Sequence, residues 1–91
     1  MSPILKVLDD LSYIFESISR DYTSEAKSEL SRLCDNLEND SSYVFDEKRV
    51  VLEKSREVLL LFYHMKYHEG SGILSGVSRE LWNKLKQEQQ S

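Results

Sequence analysis

Two histidines, His64 and His68, lie four residues apart in the stretch VLLLFYHMKYHEG, which runs from Val58 to Gly70. That separation puts two imidazoles on one face of a helix, where they could share a metal ion. A third ligand would have to come from Glu57 or Glu69. Glu57 precedes His64 by seven residues, and neither an HExxH pattern nor a second Cys/His pair accompanies them. Histidines near a helix C-terminus are also favoured by the helix dipole alone. The two are therefore expected to be structural or surface residues, with no metal and no cofactor.

Other chemistry-bearing residues point the same way. The lone Cys34 stands beside a leucine stripe, and no spacing supplies the oriented histidine that a cysteine nucleophile needs. It is expected to be a small buried residue. One cysteine allows no intramolecular disulfide, which fits a reducing compartment. The glycines at 70, 72 and 76 follow a helix instead of a strand, so they do not form a phosphate loop. An enzyme is not expected. The aromatics offer more: Tyr63 and Tyr67 are expected to share a helix face, with Trp82 approaching that end from the next helix. Tyrosine and tryptophan combine rigid apolar area with a polar handle, which suits both core edges and protein-binding sites.

The elements that position these residues are helical. With three glycines and one proline in 91 residues, long uninterrupted helices are favoured over a hairpin-rich chain. Ile4, Leu8, Leu11, Phe15, Ile18 and Tyr22 alternate spacings of four and three, widened by Val7 and Ile14. Ser2 as N-cap and Pro3 as first helical residue start helix 1, predicted over about 3–20. Thr23 or Ser24 caps helix 2, about 24–38, with Ala26, Leu30, Leu33 and Leu37 inward. Asn39–Ser42 compete for local backbone hydrogen bonds and end it. Asp46 is the expected N-cap of helix 3, about 46–69, with a Phe45–Val50 staple at its start and Gly70 as its left-handed stop. Its apolar second half is expected to be core, being far shorter than the roughly 20 residues that span a bilayer. Leu74, Val77, Leu81 and Leu85 mark helix 4, about 73–87. Short links join antiparallel neighbours, so the expectation is an all-α, antiparallel up-down four-helix bundle filling residues 1–91 as a single domain.

Charge is uneven. Residues 1–47 hold eleven acids and four bases, net −7; residues 48–91 hold five acids and eight bases, net +3. A net charge of −4 with no basic stripe argues against nucleic-acid binding, which depends on neutralising phosphates. Acids at Asp9, Asp10 and Glu16 break the basic-then-apolar pattern of a signal peptide, and a cytoplasmic location is expected.

The segments YTSEAKSELSRLCDNLEND, FDEKRVVLEKSREVLLLFYHMKYHE and SRELWNKL together resemble the immunity proteins of pediocin-like (class IIa) bacteriocins, the enterocin A immunity family. The likeness covers about residues 4–86 and is one of pattern, without a signature motif. It implies a cytosolic four-helix bundle of a Gram-positive bacterium that protects the producing cell from inside. In that family the toxin engages a sugar-transporting membrane permease, and the immunity protein recognises the toxin-bound receptor. Specificity in the family is associated with the C-terminal half. Carried onto this chain, that implies a binding site at Tyr63, Lys66, Tyr67, His68, Ile73, Leu74 and Trp82. Many members extend past the fourth helix, whereas this sequence stops at Ser91; where such a tail contributes to recognition, the resemblance leaves the toxin class open. The implied partner is a bacteriocin-bound permease or the toxin itself, met by a monomer with at most transient membrane-surface association. Two alternatives stay open: a helical docking or self-associating regulatory module, and a direct inhibitor of a nuclease toxin that uses the acidic N-terminal half.

Overall fold

The computed structural model describes residues 2–90, with the side chains of 2–89. Four helices follow one another: α1 (Pro3–Ser19), α2 (Thr23–Asn39), α3 (Lys48–Tyr63) and α4 (Tyr67–Gln90), with a 3₁₀ turn at Ser41–Tyr43 between α2 and α3. The principal contacts join α1 to α2, α2 to α3, α3 to α4 and α4 back to α1, so the helices close a ring around one core. This is the expected all-α four-helix bundle. Among the described residues no helix is long and apolar enough to cross a membrane.

The start of α1 follows its sequence signals. The Ser2 hydroxyl accepts from the Leu5 amide at 3.2 Å, with Pro3 in the first turn, an arrangement worth about 1 kcal/mol. Val7, Leu11 and Ile14 are completely buried, while Phe15 and Ile18 are half-buried and Tyr22 lies beyond the helix. The core-facing line is thus the one through Val7 and Ile14. In α2, Ala26, Leu30, Leu33 and Leu37 are buried as expected. The helix begins at Thr23 without a side-chain cap. Cys34 is buried, and burial pushes its thiol up to about 11, which keeps it protonated and unreactive.

Both short links use the same device. After α1, the Tyr22 amide donates to the Ser17 carbonyl (2.8 Å) and the Asp21 amide to Ile18 (3.0 Å). After α3, the Lys66 amide donates to Leu61 (2.9 Å) and the Met65 amide to Phe62 (3.0 Å). These are Schellman closures, which require a left-handed residue; Asp21 and Met65 fill that position, each at φ 61°.

The second closure corrects the predicted boundaries of helices 3 and 4. Helix 3 ends at Tyr63 instead of 69, and helix 4 starts at Tyr67 instead of 73. Gly70 is not a C-terminal stop but a buried residue in the first turn of α4. It extends the stripe of Leu74, Val77, Leu81 and Leu85 upstream. A Cβ on it would stand 2.7 Å from Phe62 Cε1 and 2.9 Å from Val58 Cγ1, so its bareness is what lets α4 close on α3. The start of helix 3 also differs: it begins at Lys48 after Glu47, with no side-chain cap from Asp46, and Val50 is 53% exposed instead of stapled inside.

The longer α2–α3 link is tied down by its own residues. Asp40 Oδ1 accepts from the Ser42 amide (2.9 Å) and hydroxyl (2.8 Å), the local competition expected to end α2. Tyr43 then turns inward, and its hydroxyl donates to Asp10 Oδ2 of α1 at 2.8 Å.

Candidate functional site

In an up-down ring of helices, the α1–α2 link (Arg20–Tyr22) and the α3–α4 link (His64–Lys66) lie at the same end. Contacts confirm it. Lys27, in the second turn of α2, places its ammonium 5.7 Å from the centroid of the Tyr63 ring at the close of α3. Tyr63 and residues of α2 from Ser24 to Asp35 border a shallow hollow beside that contact.

The predicted site residues divide among five surroundings. Tyr63 is exposed at the end of α3, Lys66 is exposed in the link, and His68 is exposed in the first turn of α4. These three belong to the link end. Tyr67 is half-buried, with its ring 5.4 Å from that of Phe62 and tilted 45° to it. Because α3 has ended between them, Tyr63 and Tyr67 do not share a helix face as expected. Leu74 is fully buried and belongs to the core. Ile73 is half-buried, packs against the core and lines a groove between α3 and α4. Trp82 is 46% exposed, but it follows Tyr67 by fifteen residues along α4. That is roughly 22 Å at helical rise, so Trp82 does not approach the link end.

The histidines part in the same way. His64 caps the end of α3, and His68 lies in α4 beyond the left-handed Met65. They no longer sit one turn apart on a single helix. Among the described residues no group of three or more His, Cys, Asp or Glu side chains could hold a metal ion.

Two further residues of the link end were not among the predicted site residues. Leu60 is 63% exposed and Met65 77% exposed. Val58 and Phe62 are completely buried, and Leu60 is two positions from each. At about 100° per residue it therefore points nearly opposite to both. A helical projection of Val58–Tyr63 would have found it. Met65 could not be found that way, because a left-handed methionine carries no local signal. Leu60, Tyr63 and Met65 are exposed apolar side chains within six residues of one another at the end of α3, where Lys27 meets the Tyr63 ring and Lys66 and the two histidines are neighbours in sequence.

The acidic half is partly committed internally. Asp10 accepts from Tyr43, and Glu16 pairs with Arg20 at 2.9 Å. Burial raises the Asp10 carboxyl above its ordinary value, against the lowering effect of the Tyr43 hydrogen bond.

Compared with protein-family models, curated proteins and solved structures, the chain matches none.

Proposed function

We propose that the chain is a non-catalytic bacteriocin immunity protein, which protects the producing cell from inside by recognising a toxin or toxin–receptor complex through the link end of the bundle. The observation that best supports this is the exposed apolar group Leu60, Tyr63 and Met65 on a closed, rigid scaffold. Large exposed side chains gathered at one place favour a protein partner. Methionine adapts its shape to such a surface, and here it is held in a left-handed conformation that glycine, asparagine and aspartate adopt more readily. A backbone outlier of that kind at a solvent-exposed tip fits a contact residue better than a packing one. Lys66 and His68 supply the polar rim. Trp82 and Leu74 leave the set, the first by distance and the second by burial.

The nuclease-inhibitor alternative gains less support, since Asp10 and Glu16 of its acidic surface already have partners within the chain. The test is a protection assay. The protein is expressed in the cytosol of a bacteriocin-sensitive Gram-positive host, which is then challenged with a panel of pediocin-like peptides. Selective resistance to one or two peptides is expected, lost in Tyr63→Ser with Leu60→Ser and retained in Trp82→Ala. Unchanged sensitivity to every peptide, with folded protein present in the cells, would reject the immunity role. Protection that survives the double substitution would reject the site.

A further inference from the structure

Most tyrosine rings of the bundle have a partner within the chain. The ammonium of Lys6 lies 5.7 Å from the Tyr43 ring centroid and that of Lys27 5.7 Å from the Tyr63 centroid, while the Tyr67 ring meets Phe62. Tyr13 and Tyr22 are exposed, and neither ring has a ring or cation contact among the described residues. Both line one small hollow, where the last turns of α1 meet the start of α2, together with Glu16, Ser17, Arg20 and Glu25. Its volume is about 120 Å³, room for the end of one side chain and too little for a helix.

Ser17 stands out in the wall of this hollow. It is 4% exposed, and its hydroxyl has no hydrogen-bond partner among the described residues. A buried hydroxyl is costly to the fold unless something in the hollow bonds to it. The charges beside it are unequal. Arg20 is committed to Glu16 at 2.9 Å, whereas Glu25 holds only the Tyr13 hydroxyl, through Oε2 at 3.2 Å, and has no ion pair among the described residues. Two carboxylates against one guanidinium leave the lining net negative. The Tyr13 hydroxyl feels that field. Its pKa is raised above the ordinary value by the charge of Glu25 first, then by its hydrogen bond to Glu25, with lesser effects of burial, Glu29 and Glu16. Helix-dipole preference accounts for Glu25 in the first turn of α2. It does not account for the unpartnered hydroxyl and the uncovered rings beside it.

We propose that this α1–α2 hollow binds a primary alkylammonium group, the chemistry that ends a lysine side chain of a partner protein or a free aliphatic diamine. The ammonium donates to the Glu25 carboxylate and the Ser17 hydroxyl, and its last methylenes lie against Tyr13 and Tyr22. A guanidinium fits less well, because its planar fork takes both oxygens of a carboxylate, and Tyr13 already holds one of Glu25's. The inference goes beyond the immunity role and does not depend on it, since its test contains no toxin.

The probes are Nα-acetyl-lysine amide, 1,4-diaminobutane and, as the neutral counterpart, Nα,Nε-diacetyl-lysine amide, each titrated into the ¹⁵N-labelled full chain. Both amines are expected to shift the Ser17 and Tyr22 amides saturably, with binding weakened by salt, and the diacetylated compound is not. Tighter binding of the lysine amide assigns the site to a partner's side chain, and tighter binding of the diamine to a free amine; either upholds it. Glu25→Gln should weaken binding by about fivefold or more, the loss of a charge-assisted hydrogen bond. Ser17→Ala should weaken it without lowering the melting temperature, since the hydroxyl bonds nothing within the chain. Arg20→Gln should tighten it by releasing Glu16. Asp35→Asn, on the same acidic half but outside the hollow, should leave it unchanged. The proposal is overturned by the absence of a saturable shift with either amine, by equal shifts with the diacetylated compound, or by an Asp35→Asn loss as large as that of Glu25→Gln, which would mark a general attraction to the acidic half. Weaker binding in Arg20→Gln would overturn it as well.

Discussion

Three glycines in one helix should respond to the same substitution with opposite signs. Gly70→Ala places a methyl group 2.7 Å from Phe62 Cε1 and 2.9 Å from Val58 Cγ1, both on completely buried side chains. Neither neighbour is a flexible tip, so α4 must withdraw or the Phe62 ring must leave its rotamer. Overpacking of this kind costs about 1–3 kcal/mol. Alanine returns at most about 1 kcal/mol of helix propensity, and less in a first turn. The net expectation is a loss of about 1 kcal/mol. Gly72→Ala and Gly76→Ala meet open space, so only the propensity gain remains, about 0.5–1 kcal/mol each. In a domain of this size about 1 kcal/mol moves the melting temperature by roughly 4–8 °C. Thermal unfolding followed by circular dichroism should therefore place Gly70→Ala below the parent and the other two above it, with urea midpoints in the same order. A Gly70→Ala protein as stable as Gly72→Ala would refute the close α3–α4 packing on which the corrected helix boundary rests.

Met65→Gly should stabilise the chain by about 0.5–1 kcal/mol, because the left-handed position no longer carries a Cβ; Asp21→Gly should gain less, since aspartate tolerates that region. Under the proposed role, Met65→Gly gains stability while losing protection, an opposition that urea unfolding and the challenge assay read separately. Tyr43→Phe removes the 2.8 Å bond to Asp10 and should cost about 1–2 kcal/mol in urea unfolding at neutral pH. The Asp10 carboxyl is raised above 3.8 by burial, so its protonated form is the one folding favours. That contribution is present below the ordinary value and is lost as pH rises through the raised one. Asp10→Asn should accordingly flatten the stability–pH curve in mild acid. Ser55 is completely buried and its hydroxyl has no partner; Ser55→Ala should raise stability by about 1 kcal/mol, and a decrease would mean that the hydroxyl is bonded in solution.

By itself the sequence determined the four helices, the inward stripe of α2 and the start of the chain. Ser2-Pro3 capped α1, the three- and four-residue spacings of Leu30, Leu33 and Leu37 chose the buried face of α2, and Asp40–Ser42 ended it. These are local effects, legible because a helix repeats every 3.6 residues and a cap acts within one turn. What reached beyond one turn was not legible. The sequence placed the stop of α3 at Gly70, since glycine is the usual left-handed residue. The fold placed it at Met65, because closing α4 on Phe62 and Val58 needed the glycine there. That shift separated His64 from His68 and Tyr63 from Tyr67, and left Trp82 far down α4. The candidate site depends on which side chains different helices bring together, and tertiary packing alone decides that.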